Sequence, residues 1–87
     1  SSSMMPAFYP SPTDGTFYFD IDVDSERDVI VEVYDVTGKL LLQNVHPLNA
    51  GITTVKENIG ELTKGVYLVR VVDSTSNNYY SNTIVKE

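Results

Sequence analysis

The segment Thr16-Phe17-Tyr18-Phe19-Asp20-Ile21-Asp22-Val23-Asp24 alternates between apolar and more polar side chains along its whole length. Successive side chains of a β-strand point to opposite faces, so this period of two gives a strand one apolar and one polar face. The apolar face holds Phe17, Phe19, Ile21 and Val23. The segment is therefore predicted to be a half-buried β-strand whose phenylalanines supply core.

Five more segments follow the same plan, each bounded by polar or glycine-containing turns. We predict strands at residues 29–36, 39–45, 52–59, 66–73 and 79–86, and a seventh if Phe8-Tyr9 pairs at a sheet edge. Residues 66–73 are the most apolar and are expected at the centre of their sheet. Residues 46–51 are assigned to a loop, because Pro47 lacks an amide donor and Asn49 and Gly51 favour turns.

No segment carries a sustained helical period, so the fold is predicted to be all-β. Short strands between polar turns are typical of a small immunoglobulin-like β-sandwich, here of about seven antiparallel strands. The side chains expected in its core are Phe17, Phe19, Ile21, Val31, Val33, Leu40, Leu42, Val69 and Val71. Residues 8–87 are expected to form one domain, and residues 1–7, small and without period, a linker or a cloning remnant.

Composition argues against several classes of protein. The chain has 87 residues and no cysteine, so its core must hold the fold without a disulfide or a thiolate metal site. Its net charge of -6 argues against nucleic acid, which needs clustered Lys and Arg. No apolar run approaches the ~20 residues that span a bilayer, and Ser1-Ser2-Ser3-Met4-Met5 lacks the pattern of a signal peptide. We expect no nucleic-acid partner and no transmembrane segment.

The acidic run at residues 20–28 invites a calcium hypothesis. Ser25 stands where an EF-hand loop needs glycine, and Val31 where it needs a bidentate glutamate. His46 is the only histidine and is interpreted as a loop residue, and no Gly-x-Ser-x-Gly nucleophile motif occurs. We therefore expect no metal, no cofactor and no catalytic residue.

Three turn motifs occur in fixed order. They are Tyr9-Pro10-Ser11-Pro12-Thr13-Asp14-Gly15, Tyr34-Asp35-Val36-Thr37-Gly38-Lys39 and Leu62-Thr63-Lys64-Gly65-Val66-Tyr67. Each alone is a common turn, but in this order and spacing they resemble the type A C-terminal sorting domain of type IX (Por) secretion cargo. Leu68-Val69-Arg70-Val71 and Leu48-Asn49-Ala50-Gly51 add to a resemblance that covers nearly the whole chain.

Two positions depart from the family pattern. Ser11 stands between the prolines where the family usually has Asn, and Ser bonds the local backbone more weakly. The last strand carries fewer lysines than is usual in the family. Any recognition through lysines there would rest mainly on Lys86.

The resemblance implies a rigid export address with no chemistry of its own. Such a domain is recognised in the periplasm and carried through an outer-membrane translocon. In many members a sortase-like transpeptidase then removes it near residues 1–8 and anchors the cargo to surface lipopolysaccharide, while other cargo is secreted. The recognition residues that the resemblance implies are Pro10, Pro12, Gly15, Gly38, Lys39, Leu62, Gly65, Tyr67 and Lys86. An open sheet edge is also expected to allow self-association or strand addition to a partner.

Two other functions are compatible with the sequence. Tyr18, Tyr79 and Tyr80 could stack on sugar rings, as in a non-catalytic carbohydrate-binding accessory module, although tyrosines at a core margin explain them more simply. A purely structural spacer fits the fold but leaves the ordered motifs unexplained. Asp73-Ser74-Thr75 resembles a short O-glycosylation acceptor, although a hairpin turn accounts for it better.

Overall fold

The computed structural model describes residues 7–87, which form six β-strands and no helix. The strands are β1 (Thr16–Val23), β2 (Arg27–Tyr34), β3 (Leu40–Leu48), β4 (Gly51–Asn58), β5 (Gly65–Asp73) and β6 (Tyr79–Lys86). This confirms the all-β prediction. The strand count is six, since Tyr9 makes only an isolated bridge with Tyr18 and extends no further as a strand. Nearly all of the predicted linker lies outside the described residues.

The strands form two antiparallel sheets that pack as a sandwich. One sheet contains β1 and β4, and the other has the order β3-β2-β5-β6. The prediction that residues 66–73 form a central strand is confirmed, because β5 is hydrogen-bonded to β2 on one side and β6 on the other.

The hydrophobic core lies between the two sheets. It is built from alternate residues of each strand, as the period of two predicts. The most deeply buried side chains are Phe17, Phe19, Val29, Val31, Val33, Ile59, Val69, Val71 and Ile84. Ile21 and Leu42 pack against this core while half-buried.

Leu40 does not join the core as predicted, since it is 43% exposed. The pairing of β2 with β3 shifts here: Tyr34 lies opposite Leu40, but the preceding Val33 lies opposite Leu42. Leu41 is therefore an extra residue, a β-bulge that changes which face its neighbours occupy. Leu40 consequently shares the outer face of the sheet with Tyr34.

The predicted loop at residues 46–51 is also wrong in most of its length. Strand β3 continues through His46 and Pro47 to Leu48, which is buried opposite Arg27. Proline removes one amide donor, and an edge strand tolerates this because only one of its sides is paired. The chain then turns at Asn49 and Ala50 alone.

A buried carboxylate joins the two sheets on the side where β3 and β4 are neighbours. Glu57 of β4 is 4% exposed. Its Oε1 accepts a hydrogen bond of 2.8 Å from Asn44 Nδ2, and its Oε2 lies 2.5 Å from His46 Nε2. A buried carboxylate is tolerated only when it is paired in this way. His46 is thus part of an inter-sheet contact and not a loop residue.

Candidate recognition surface

The three turn motifs lie at the same end of the sandwich. Each strand of the sandwich runs opposite to the one before it, so every second connection along the chain lies at the same end of the fold. Residues 10–15, 35–39 and 59–65 are the segments at one of these ends. The register confirms this, since Thr16 pairs with Asn58, and Gly65 pairs with Lys86. We call these three turns together with Lys86 and Glu87 the motif end.

The Pro-x-Pro segment crosses from one sheet to the other on the outside of the motif end. Tyr9 exchanges two backbone hydrogen bonds with Tyr18 of β1, at 2.9 and 2.7 Å. Four residues later the Thr13 amide donates to the Val85 carbonyl of β6 (2.8 Å), and the Thr13 carbonyl accepts from the Glu87 amide (2.9 Å). Pro10 and Pro12 lie between these two attachments and are exposed.

Phe8 fixes the start of this segment. Its ring is buried and meets Phe17 and Phe19 edge-to-face, with ring centroids 5.6 and 5.4 Å apart. Aromatic pairs of this geometry add stability beyond the area that they bury. The Pro-x-Pro segment is therefore held by a buried ring before it and by backbone hydrogen bonds on both sides.

Gly15 lies at a close contact between two of the turns. Its carbonyl accepts a hydrogen bond from the Ile59 amide (2.6 Å), and a Cβ added at Gly15 would come within 3.1 Å of the Gly60 Cα. Its φ of +155° also disfavours any residue with a side chain. Thr13 is 1% exposed, and its Oγ1 accepts a hydrogen bond from the Gly15 amide (3.1 Å), which fixes the same bend.

Asp35 organises the Gly38-Lys39 turn. Its Oδ1 accepts hydrogen bonds from the Thr37 amide (2.9 Å), the Thr37 hydroxyl (2.6 Å) and the Lys39 amide (3.0 Å). The bonds from Thr37 and Lys39 hold the pKa of the Asp35 carboxyl below its ordinary value, because they favour its charged form. Gly38 adopts a φ of +89° that glycine reaches without strain. The turn therefore presents the exposed Lys39 from a fixed backbone.

The Leu62 to Tyr67 motif is anchored from inside the protein. Tyr67 is only 6% exposed, and its hydroxyl donates to the Thr63 carbonyl at 2.5 Å. Leu62 is half-buried and packs against the core beneath this turn. Gly65 begins β5 opposite Lys86. Tyr67 thus holds the turn in place while its own ring stays inside.

The nine sequence-predicted recognition residues therefore divide by position. Pro10, Pro12, Gly38 and Lys39 are exposed, Leu62, Gly65 and Lys86 are half-buried, and Gly15 and Tyr67 are buried. All nine belong to the motif end or to the first residues of β5. Sequence reasoning missed the supporting roles of Thr13 and Asp35, although Asp at the start of a Gly-containing turn is a known signal for such a bend.

Charge is distributed unevenly between the two ends. Three of the four lysines, Lys39, Lys64 and Lys86, lie at the motif end, where they largely offset its four acidic residues, Asp14, Asp35, Glu61 and Glu87. The opposite end carries an acidic group around one arginine: Asp24, Glu26 and Asp28, with Asp73.

Arg27 neutralises part of that acidic group. Its guanidinium pairs with Asp24 and donates to Asp73 Oδ2 at 2.8 Å. Burial raises the pKa of Asp73, but the hydrogen bonds from Arg27 and from the Thr75 and Ser76 amides outweigh it, so the pKa lies below the ordinary value. The same carboxylate, with its Oδ1 accepting the Thr75 amide at 2.8 Å, shapes the β5–β6 hairpin turn.

The three tyrosines named for sugar stacking do not share a face. Tyr79 points outward from the four-stranded sheet, while its neighbour Tyr80 lies on the inner face and packs against the core. Tyr18 belongs to the other sheet, where it stacks on Tyr9 with ring centroids 5.9 Å apart. They therefore form no common platform for a sugar.

The acidic run gives no metal site in the described part of the chain. Among residues 7–87, no three His, Asp or Glu side chains lie close enough together to hold a metal ion. Within the same residues, no helix is long and apolar enough to cross a membrane.

A small β-sandwich whose turn motifs gather at one end is a module suited to recognition by its surface. A family model described as a secretion system C-terminal sorting domain matches residues 7–87. The chain therefore belongs to the family of C-terminal sorting domains of type IX secretion. Neither the curated proteins nor the solved structures gave a match.

Membership defines the general role of the chain. It is a C-terminal sorting signal that interacts with the type IX secretion machinery and leads to export of its cargo, which is then found at the cell surface or is secreted. Domains of this family are in general non-catalytic.

Proposed function

We propose that the secretion machinery reads the motif end as a preformed shape. The observation that carries this proposal is the convergence of three sequence motifs on one end of the fold, although their outermost glycines, Gly15 and Gly65, are 50 residues apart in the sequence. Each turn is fixed by hydrogen bonds or buried anchors. Docking of a rigid surface avoids the ordering cost that a flexible peptide incurs, so less of the binding energy is lost.

We assign two roles to the residues of the motif end. Pro10, Pro12, Gly38, Lys39 and Lys86 would contact the machinery directly, because they lie on its surface or at its margin. Gly15, Leu62, Gly65 and Tyr67 would act through the shape of the turns. This division explains how a buried tyrosine can belong to a recognition motif.

The proposed route passes through the periplasm and an outer-membrane translocon, with no catalytic step by the domain itself. A sortase-like transpeptidase would then remove the domain and attach the cargo to the cell surface. A peptidase needs an extended backbone, and Phe8 is buried against Phe17 and Phe19. We therefore place the cut on the N-terminal side of Phe8.

Fusion of the 87-residue chain behind a periplasmic reporter, in a cell with type IX secretion, tests this function. The reporter should appear at the cell surface or in the medium. A reporter that stays in the periplasm, while a known sorting domain exports it, would refute the proposal.

The lysines of the motif end provide a sharper test. Lys39→Ala and Lys86→Ala should each reduce export of the fusion, while stability changes by less than about 0.5 kcal/mol, as is usual at surface positions. Lys56→Ala is the matched control, because Lys56 is an exposed lysine of β4 outside the motif end. Equal export by all three variants would exclude a direct role for these lysines.

A further inference from the structure

The outer face of the four-stranded sheet is unusually apolar. Six of the nine large apolar side chains that are exposed in the described residues lie on this one face. They are Leu40, Val45, Val66, Leu68, Tyr79 and Val85. Single exposed apolar residues need no explanation, but a grouping on one face marks an interaction site in many proteins.

The centre of this face carries an ion pair that cancels its own charge. Glu32 Oε1 accepts hydrogen bonds from Arg70 Nε and the Tyr34 hydroxyl, both at 2.8 Å. Its Oε2 accepts from Gln43 Nε2 at 3.0 Å. Burial raises the pKa of Glu32, but the bonds from Tyr34, Arg70 and Gln43 outweigh this and lower it, so the carboxylate remains charged opposite Arg70.

Two aromatic rings cover the arginine. The Arg70 guanidinium carbon lies 5.6 Å from the Tyr34 ring centroid and 5.3 Å from that of Tyr79. Cation–π contacts of this kind attract the guanidinium to both rings. Apart from Glu32 and Arg70, no outward-facing residue is charged between Ile30 and Tyr34 of β2 or between Val66 and Val72 of β5.

The other sheet differs in this respect. Its outward positions include Asp20, Asp22 and Lys56, with Ile52 as an exposed apolar residue. In a chain of net charge -6, the part of this outer face from Ile30 to Tyr34 of β2 and from Val66 to Val72 of β5 therefore carries no net charge, and the exposed Asp28 lies beyond it at the far end of β2. An uncharged apolar surface can approach it without desolvating an unpaired charge.

We propose that this outer face, from Leu40 across Leu68 to Val85, docks an uncharged apolar patch on a protein of the export machinery. On that partner, acidic groups would border the patch on the side that faces the motif end. The inference rests on the proposed function and adds a second contact surface to it. Leu40 directly follows Lys39, and Val66 follows Lys64 by two residues, so the lysines lie at the border of the face. Acidic groups on the partner would meet them there.

The size of the face favours such a partner over a second copy of the chain. Four strands at ~4.8 Å spacing and eight residues at ~3.3 Å rise give a face of roughly 500 Å². A stable interface of standard size buries about 800 Å² on each partner. A partner that also covers the motif end gains the missing area, whereas two copies would bring together two chains of net charge -6.

Leu68→Lys tests the docking surface, because it sets a charge at an outward position that is 40% exposed. Ile52→Lys is the matched control, since Ile52 is 75% exposed on the other sheet. The reporter fusion with Leu68→Lys should show about tenfold less export, as expected when a charge enters a desolvated contact. The control should remain within about twofold of the unsubstituted fusion, and thermal unfolding should show both variants folded. If Leu68→Lys fails to fold, Leu40→Lys on the same face replaces it.

The other outcomes separate the inference from the proposed function. If the unsubstituted fusion is exported and Leu68→Lys is exported equally well, the docking surface is refuted while the sorting function stands. If the unsubstituted fusion is not exported, the sorting function itself fails. If Leu68→Lys and Ile52→Lys reduce export equally, the added charge acts in a general way, and the assignment of the contact to this face is refuted. Sedimentation of the purified chain as a dimer that Leu68→Lys dissociates would make a second copy the occupant and also refute it.

Discussion

Two identical substitutions on strand β5 test the packing of the sandwich directly. Val69 is completely buried, whereas Val66 on the same strand is 46% exposed. Each Val→Ala change removes two methyl groups and loses the same strand propensity, so their difference isolates burial. At about 0.8 kcal/mol per buried carbon, Val69→Ala loses about 1.6 kcal/mol, and the cavity raises the total to about 2–3 kcal/mol.

Val66→Ala should lose much less. About half of its side chain is already in water, and solvent fills the space that the methyl groups leave, so the loss should be about 0.8 kcal/mol or smaller. Urea unfolding of the purified chain measures both values. With a slope of about 1 kcal/mol per M for a domain of this size, Val69→Ala should lower the midpoint by about 2–3 M and Val66→Ala by less than about 1 M. Equal midpoints for the two variants would show that the inner and outer faces of β5 have been assigned incorrectly.

Two further predictions concern pH and the glycine turns. The folded pKa values of Asp35 and Asp73 lie below the ordinary aspartate value, so the stability that they contribute is complete above about pH 4 and is lost as the pH falls through the lower folded values. Thermal unfolding from pH 7 down to pH 2 should therefore show a falling melting temperature below about pH 4, and an unchanged one would contradict this origin. Gly15→Ala should destabilise more than Gly38→Ala, because a Cβ at Gly15 meets Gly60 in addition to the strained φ, while nothing lies near Gly38. The strain alone costs about 1–2 kcal/mol, and chemical denaturation of the two variants should show this order.

The alternating strands were predictable because their pattern is local. Strand β6 was predicted at residues 79–86 and is found at Tyr79–Lys86. Strand β1 differs from its prediction by one residue at its end. In both, the burial of one face imposes a period of two that the sequence displays directly.

The wrong predictions, for Leu40 and for the loop at residues 46–51, fall where the local sequence pattern does not determine the structure. Leu40-Leu41-Leu42 shows no alternation, so only the pairing with β2 and its bulge decide which leucine faces inward. Pro47 suggests a loop when read alone, and its tolerance in β3 depends on the position of β3 at the edge of the sheet. Sheet order is a tertiary property that a short segment does not contain.

The recognition surface was predictable in part. The motifs themselves were visible, and antiparallel connections alone could have placed them at one end of the fold. The Glu32–Arg70 pair could not be foreseen, because 38 residues separate the two side chains and their contact depends on the register of β2 with β5. The apolar outer face of the four-stranded sheet could not be predicted from the sequence for the same reason.

Photo-cross-linking in secreting cells tests most directly whether the machinery reads the motif end. One fusion carries a photoreactive phenylalanine derivative at the position of Lys64, and another carries it at Ser76, which is also an exposed turn residue but lies at the opposite end. Illumination during export should link the Lys64 position to a protein of the secretion machinery and leave the Ser76 position unlinked. Cross-links from Ser76 with none from Lys64 would show that the machinery contacts the other end of the domain.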